Sequence, residues 1–142
     1  MARYAAAFQT TVGTIAAAAA EVRATSSDRP LIMEIHLYAV TAAAAVVGVG
    51  MPAAIGITPM TTYRVISEDP AVPPGTTLVA TAWTTAPTVP TTFFRRVGLR
   101  ALVGCPAIFG FPRGLTVPQS GGIVLWNITA NPLLDTVIVV DE

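Results

Sequence analysis

The sequence predicts an all-β protein: an antiparallel β-sandwich of the jelly-roll type with an extended N-terminal arm. Short apolar or β-branched runs recur with turns at roughly the 8–12-residue spacing of sandwiches and barrels. Proline and glycine separate these runs, and the chain has 12 prolines and 11 glycines. No stretch carries the amphipathic stripe of a long helix. These three observations together favour many short strands.

The chain has the length of one domain with its own core. Its 142 residues predict a single domain, 1–142, which buries roughly two-thirds of its unfolded surface. Hydrophobic residues make up 53% and charged residues only 11%, against a usual charged share of about 25%. So few charged residues cannot cover the surface of a monomer well. We therefore expect part of the protein surface to be buried against other chains.

The last third of the chain gives the clearest strands. Residues 121–128 begin with two glycines and continue as an apolar run that contains Trp126. Isoleucine, valine and tryptophan favour a pleated surface, so this run predicts a core strand. Residues 134–140 predict another strand after it, so the end of the chain is expected to be paired into the sheet.

Two segments near the N-terminus allow alternative interpretations. Residues 1–12 mix aromatic, alanine and threonine side chains and predict an N-terminal arm or a first strand. Residues 16–23 are rich in alanine, the best helix former. Because isolated helices of two turns are marginal, we favour a strand over residues 19–24.

Residues 31–40 form the best-marked strand of the first half, because their polarity has a period of two. The pattern places one set of side chains towards the core: Leu31, Met33, Ile35 and Leu37. It places Glu34, His36 and Tyr38 on the other face.

Five further strands are expected between proline-rich loops in the middle of the chain. They cover residues 46–51, 61–67, 76–84, 93–102 and 106–111. In the first of them Gly48 and Gly50 share one face, which indicates close approach by a neighbouring segment. The loops at residues 68–75 and 85–90 are too rich in proline for regular structure.

The charge pattern argues against nucleic acid and membranes as partners. The formal net charge is +0, and all eight basic residues are arginines, without the cationic face that a nucleic-acid binder needs. Residues 39–57 are almost wholly apolar, but they are rich in alanine and glycine and lack flanking basic residues, so we do not expect them to span a membrane. Polar residues 9–11 interrupt any signal-peptide core, and we expect synthesis in the cytoplasm.

The reactive residues predict no metal site, no cofactor and no catalytic centre. Cys105 is the single cysteine and His36 the single histidine, which excludes an intrachain disulfide and a multi-histidine metal site. Glu34 and His36 lie two residues apart on one strand face. An acid–base pair is one interpretation of them, but no third group is identifiable by spacing, and we favour a polar sheet face.

The arginines and tryptophans are the candidates for binding a partner. Arg95 and Arg96 are adjacent in a predicted strand, so their side chains point to opposite faces. With Arg100 they could grip an acidic partner surface through bidentate ion pairs; the alternative is pairing with acids of the same chain. Trp126 is expected in the core, and Trp83, beside a proline–threonine loop, on the surface. A sugar-stacking pair is the alternative for the two tryptophans.

Three stretches of the chain resemble the small all-β virion proteins of tailed bacteriophages, the head decoration or cement proteins. They are residues 4–12; residues 68–70 through 82–88 to 94–96; and residues 114–118 through 125–127 to 140–142. Together they cover most of the chain, and they are structural motifs without a chemical signature.

The resemblance implies a trimeric β-sandwich on the outer surface of an assembled capsid. Such a protein clamps neighbouring copies of the major capsid protein and resists internal pressure. The N-terminal arm, with Tyr4 and Phe8, would add a strand to a neighbour's sheet edge. Arg95, Arg96, Arg100 and Trp83 would supply further contacts to the shell or between subunits.

Three other functions are weighed against this one. A tail or fibre component would contact the host through Trp83 and the loop at residues 87–90. A carbohydrate-binding sandwich would use the two tryptophans. A small hydrolase would use Glu34 and His36.

Overall fold

A computed structural model of the chain describes residues 2–11, 17–25 and 27–142. Within these ranges every regular element is a β-strand. In chain order the strands are β1 (Arg3–Gln9), β2 (Ala17–Arg23), β3 (Leu31–Ala39), β4 (Ala45–Gly50), β5 (Ile57–Arg64), β6 (Ile66–Ser67), β7 (Leu78–Thr85), β8 (Phe93–Leu99), β9 (Pro106–Thr116), β10 (Gly122–Thr129) and β11 (Leu134–Asp141).

The strands form two antiparallel sheets packed against each other. The five-stranded sheet has the order β6-β1-β11-β3-β9, and the six-stranded sheet has the order β5-β7-β2-β10-β4-β8. β8 contacts β9 at one side of the sandwich, and β1 contacts β5 at the other. The predicted all-β antiparallel sandwich is confirmed, whereas its jelly-roll arrangement stays a prediction.

β1 and β11, which are far apart in sequence, lie side by side in the five-stranded sheet. Their register runs from Arg3 opposite Asp141 to Gln9 opposite Asp135. On its other side β1 pairs with β6. Of the two interpretations of the N-terminal residues, the structure therefore shows a first strand, and Val12 lies outside the described residues. A strand paired with its own sheet in this way is not a free arm that a neighbour's sheet can take up.

The core lies between the sheets, where alternate side chains of the strands meet. In β1 the inward residues are Tyr4, Ala6 and Phe8, and in β11 they include Ile138 and Val140. Both β11 residues are 0% exposed. Full burial of such a side chain contributes roughly 1.5–3 kcal/mol each, so the strand alternation that the sequence shows is also the main source of stability.

The residues predicted to point inward from β3 are correct for only half of the strand, because the strand contains a bulge. Ile35 and Leu37 are buried as expected, but Ile32 is also buried and Met33 is only half-buried. The pairing register shifts between Ile32 and Glu34 on one side of β3 and at the matching position of β11 on the other. A bulge exchanges the two faces of a strand, and the prediction that Leu31 and Met33 point into the core is therefore wrong.

β9 continues beyond the strand predicted over residues 106–111 and ends at Thr116. Leu115 of β9 lies opposite Ile32 of β3, and Gly110 lies opposite Glu34. A step of two residues in β3 therefore corresponds to a step of five residues in β9. The three extra residues lie between Gly110 and Gly114, and Gly114 has a φ of +72°. β9 tolerates Pro112 because it is an edge strand, where a missing N–H costs no ladder hydrogen bond.

Two other predicted strand limits are corrected. The strand expected over residues 61–67 is divided into β5 and β6 by Val65, which is 0% exposed and lies where the chain passes from one sheet to the other. The strand expected over residues 93–102 ends at Leu99, so Arg100 follows the strand. The loops predicted at residues 68–75 and 85–90 contain no strand, as predicted, except that Thr85 is the last residue of β7.

The glycines of β4 make the close approach that the sequence indicated. A Cβ on Gly50 would lie 2.6 Å from Pro90 Cβ and 2.8 Å from the Thr92 carbonyl oxygen. A Cβ on Gly98, in the neighbouring strand β8, would meet nothing within 4 Å.

We therefore expect Gly50→Ala to lower the free energy of unfolding by about 1–3 kcal/mol, the usual cost of overpacking. Gly98→Ala is the matched control and should be neutral or stabilising by up to about 1 kcal/mol, because glycine is unfavourable within a strand. Urea unfolding of both variants measures the difference. Equal effects of the two substitutions would contradict the close packing at Gly50.

Candidate interaction surfaces

Four arginines lie at the side of the sandwich formed by β8 and β9, and we call them the arginine edge: Arg95, Arg96, Arg100 and Arg113. Two of them belong to β8 and one to β9, while Arg100 comes directly after β8. All four are exposed. Three were predicted as partner contacts from the sequence, and Arg113 was missed because it lies apart from the others in the chain.

Aromatic side chains support two of these guanidinium groups. Arg95 lies over the Phe111 ring, with its Cζ 5.6 Å from the ring centroid. Arg95 also donates a hydrogen bond to the Phe94 carbonyl at 2.9 Å. Arg96 lies over Phe93 at 5.9 Å. Exposed cation–π contacts are worth roughly 0.5–1 kcal/mol, and they restrain the arginines without neutralising their charge.

Among the described residues, no carboxylate of the chain forms an ion pair with the arginine edge, and the acidic residue Glu34 lies beside Phe111 and Pro112. From residue 70 to residue 134 the sequence contains four arginines and neither aspartate nor glutamate. The ion pairs of the described residues involve Arg3, Arg23 and His36. The alternative that these arginines pair within the chain is therefore not found in the structure, and their charge is available to a partner.

A second surface is the outer face of the five-stranded sheet. In a solvated antiparallel sheet the outward positions are normally polar. Here the outward positions at the centre are small and apolar: Ala5 pairs with Val139, and Ala7 pairs with Val137. Ile108 on β9 is 60% exposed on the same face, and His36 of β3 lies between it and Val137.

Polar side chains surround this apolar face and form hydrogen bonds with one another. Arg3 Nε donates to Asp141 at 3.0 Å at one end, and Gln9 Nε2 donates to Asp135 at 2.9 Å at the other. The outer face therefore has an apolar centre on β1 and β11 and polar side chains around it, as in many protein–protein interfaces.

Glu34 and His36 lie next to the apolar centre and form a close pair. Glu34 Oε2 and His36 Nε2 are 2.6 Å apart. The pair lies on an open sheet face, and the described ranges hold no group of three or more His, Cys, Asp or Glu that could bind a metal ion. The structure thus brings together the two residues of the hydrolase alternative and adds no third group to them.

The aromatic residues expected to contact partners are placed differently. Tyr4 is 8% and Phe8 7% exposed, and Phe8 stacks on Tyr63 with ring centroids 5.2 Å apart. Both residues belong to the core of their own sandwich, and their contact with a partner stays a prediction. They alternate with outward residues of β1, and the outward Ala5 and Ala7 are the exposed members.

The tryptophans do not form a sugar-stacking pair. Trp126 is 7% exposed and lies in the core, as predicted. Trp83 is half-buried, and its indole N–H donates to Glu21 Oε2 at 3.0 Å. The loop beside it is also packed, because Pro87 and Pro90 are buried and Thr88 Oγ1 accepts the Ala54 N–H at 2.9 Å. This loop is not a projecting tip.

The partner of Trp83 is a buried carboxylate that sequence reasoning missed. Glu21 lies on β2 and is 0% exposed. It accepts the Gly56 N–H at 3.2 Å, and Arg23 approaches it at 3.5 Å. Arg23 also donates to the Gly56 carbonyl at 2.8 Å. Glu21, Arg23 and Trp83 together hold residues 51–56 over the outer face of the six-stranded sheet.

Burial raises the pKa of the Glu21 carboxylate. Desolvation raises the pKa of Glu21 above its ordinary value, although the hydrogen bonds from Gly56 and Trp83 and the charge of Arg23 act in the opposite direction. The only sequence signal for this site is a single glutamate within the apolar run of β2. Its partners lie 35 and 62 residues away, beyond the reach of a local pattern.

Comparison with known proteins gives no relative: no family model, no curated protein and no solved structure matches the chain. No helix in residues 2–11, 17–25 or 27–142 has the length and hydropathy needed to cross a membrane.

We expect Glu21 to make the stability of the protein depend on pH. A raised pKa means that the folded state binds the Glu21 proton more tightly than the unfolded chain, so the free energy of unfolding falls as pH rises from about 4.5 through the folded-state pKa. Glu21→Gln cannot ionise and should lack this decrease. Urea unfolding of both proteins between about pH 4 and pH 8 measures the effect at Glu21 by difference.

Glu34→Gln is the matched control, because Glu34 is exposed on the opposite sheet and its side chain is 50% accessible. It should keep the wild-type decrease of stability with pH. A Glu21→Gln profile parallel to that of the wild type would show that the buried carboxylate does not cause the dependence.

Proposed function

We propose that this chain is a structural virion protein of a tailed bacteriophage, which binds the outer surface of the assembled head and stabilises it. The apolar outer face of the five-stranded sheet carries the proposal. A sandwich that covers both sides of its core leaves this face without an internal role, yet the outward residues of β1 and β11 at its centre, Ala5, Ala7, Val137 and Val139, are apolar. The resemblance of three sequence stretches to head decoration proteins names the partner, the major capsid protein.

The physical basis of binding is the removal of this face from water. Burial of apolar surface contributes about 25 cal/mol per Å², and small outward side chains allow a second flat surface to approach closely. At the rim Arg3 is paired with Asp141 and Gln9 with Asp135, so each of these four side chains keeps a hydrogen-bond partner when the face is covered.

Weak individual contacts are sufficient for such a role. Many copies on a symmetric shell act together, and a chain that contacts two capsid subunits holds them at their junction. In this proposal the protein is not an enzyme, needs no cofactor, and is made in the host cytoplasm before it joins the virion as a homotrimer with a jelly-roll strand order.

We expect Ile108→Glu to reduce binding to purified heads at least about tenfold, because it places a charge in the apolar face. Met60→Glu is the matched control: Met60 is 68% exposed on β5, outside this face, and its substitution should leave binding unchanged. Co-sedimentation of each folded variant with heads that lack the protein measures the effect. Equal binding of both variants would remove the outer face from the proposal.

The number of copies in purified virions separates the head from the tail alternative. Quantitative mass spectrometry should give a ratio to the major capsid protein near that of a shell component. A ratio far below it would favour a tail or fibre component, and absence from virions would remove the virion proposal altogether.

A further inference from the structure

We propose that the outer face of the five-stranded sheet takes up a proton at His36 when a partner covers it, so that binding strengthens as the pH falls from about 7.5 to about 5.5. The inference rests on the proposed function, in which the major capsid protein covers this face, and adds a regulation of that contact by pH. The position of the Glu34–His36 pair and the charges of its two side chains carry the inference.

The pair lies within the apolar face. Two neighbouring rows of paired residues cross the sheet from β1 to β9. One row consists of Ala7, Val137, His36 and Ile108, and the other consists of Ala5, Val139, Glu34 and Gly110. Of these eight residues, Glu34 and His36 alone have polar side chains. A partner that covers both the apolar centre on β1 and β11 and the exposed Ile108 therefore also covers this pair.

In the isolated protein, water reaches both side chains of the pair. The Glu34 side chain is 50% accessible and the His36 side chain 24%. His36 Nε2 and Glu34 Oε2 lie 2.6 Å apart. Because an ionised carboxylate only accepts hydrogen bonds, Nε2 is the donor and carries the proton of the neutral ring. A second proton therefore enters the ring at Nδ1.

The net charge of the pair depends on this second proton. With a neutral His36 the pair carries the negative charge of Glu34, whereas with a protonated His36 it is a neutral ion pair. Removal of a single charge from water costs more free energy than removal of a hydrogen-bonded ion pair, in which each charge compensates the other. The partner therefore binds the protonated pair more tightly, and binding is accompanied by proton uptake.

The charged groups that face the pair from β1 and β11 have partners of their own. Arg3 borders a small groove together with Glu34, and it donates to Asp141 at 3.0 Å. Asp135 lies two residues along β11 from Val137 and accepts a hydrogen bond from Gln9 at 2.9 Å. Their charges are thus present whether His36 is protonated or not.

β9 places no titratable side chain opposite the pair, because the residues at these positions are Ile108 and Gly110. Tyr38 is the next outward residue on β3 itself. Aspartate, tyrosine and arginine side chains ordinarily change charge outside the range from about pH 5.5 to about pH 7.5, whereas histidine changes charge within it. His36 is the single histidine of the chain, so a change of charge on this face in that range is assigned to one residue.

Replacement of each member of the pair by glutamine, which is polar and uncharged, tests the inference by the direction of the pH dependence. In Glu34→Gln, protonation of His36 adds a positive charge without a partner, so binding should weaken as the pH falls. In His36→Gln, the charge of Glu34 remains throughout, so binding should stay weak and should not strengthen. The double variant carries no charge at either position and should bind more tightly than His36→Gln.

Co-sedimentation of each folded protein with heads that lack it measures the dissociation constant at about pH 5.5, 6.5 and 7.5 and at constant ionic strength. Uptake of one proton changes this constant by at most about tenfold per pH unit. Relative to the double variant, we expect the wild type to bind at least about tenfold more tightly at pH 5.5 than at pH 7.5, and Glu34→Gln at least about threefold more weakly.

The double variant also reports any pH dependence of the heads, and titration elsewhere in the chain, including that of Glu21 on the other sheet, is common to all the proteins. Asp69→Asn is the matched control for the loss of one negative charge. Asp69 is exposed outside the two rows, and asparagine keeps the side-chain oxygen that accepts the Ala71 N–H at 2.9 Å. This variant should keep the pH dependence of the wild type.

Two results would overturn the inference: parallel profiles of the wild type and His36→Gln, or a Glu34→Gln profile with the direction of the wild type. A purely structural role of the pair would change the dissociation constant by the same factor at every pH and would not reverse the slope. If the wild type binds no heads at any pH, the proposed function and this regulation fail together. If it binds with the profile of the double variant, the regulation fails alone.

Discussion

The structure depends first on the pairing of β1 with β11. These strands are separated by more than a hundred residues in the sequence, yet they are neighbours in the five-stranded sheet and supply Tyr4, Phe8 and Ile138 to the core. The hydrogen bonds between Ala2 and Glu142, at 2.8 and 3.1 Å, extend the same ladder. The conformational entropy of this long loop is lost before the contacts between the two strands can form. We therefore infer that this sheet forms late in folding.

The same pairing determines what the protein shows to its surroundings. Because β1 and β11 occupy neighbouring positions in the five-stranded sheet, the outward residues Ala5, Ala7, Val137 and Val139 form a flat apolar surface. Because β6 is only two residues long, the edge beyond β1 is not covered. Face and edge thus arise from one piece of topology, and they share Ala5 and Ala7.

The sequence predicts the strands well and the deviations from them poorly. Alternation in a single strand indicates its two faces, but a bulge depends on the register with the neighbouring strands. The residue types of Met33 and Pro112 did not lead to the prediction of a bulge at either position. Residue type indicated that Arg95 and Arg96 are exposed. It did not indicate that Arg113 joins them or that Phe8 is turned inward, because both depend on how β9 and β1 pair. The site at Glu21 is made by distant segments and has no local pattern.

In the described part of the chain, the arginines of the arginine edge lack ion pairs because the acidic side chains have other positions and partners in the fold. Glu21 is buried beneath residues 51–56, and the Glu142 carboxylate accepts the Thr77 N–H at 3.1 Å. Asp141 is paired with Arg3. In a chain with eight acidic residues, these internal roles leave few carboxylates for other cations, and none lies in the long segment that forms β8 and β9. A planar guanidinium stacked on an aromatic ring stays ordered without a carboxylate, as Arg95 does on Phe111. Excess positive charge is thus concentrated at the β8–β9 side of a molecule that is neutral as a whole.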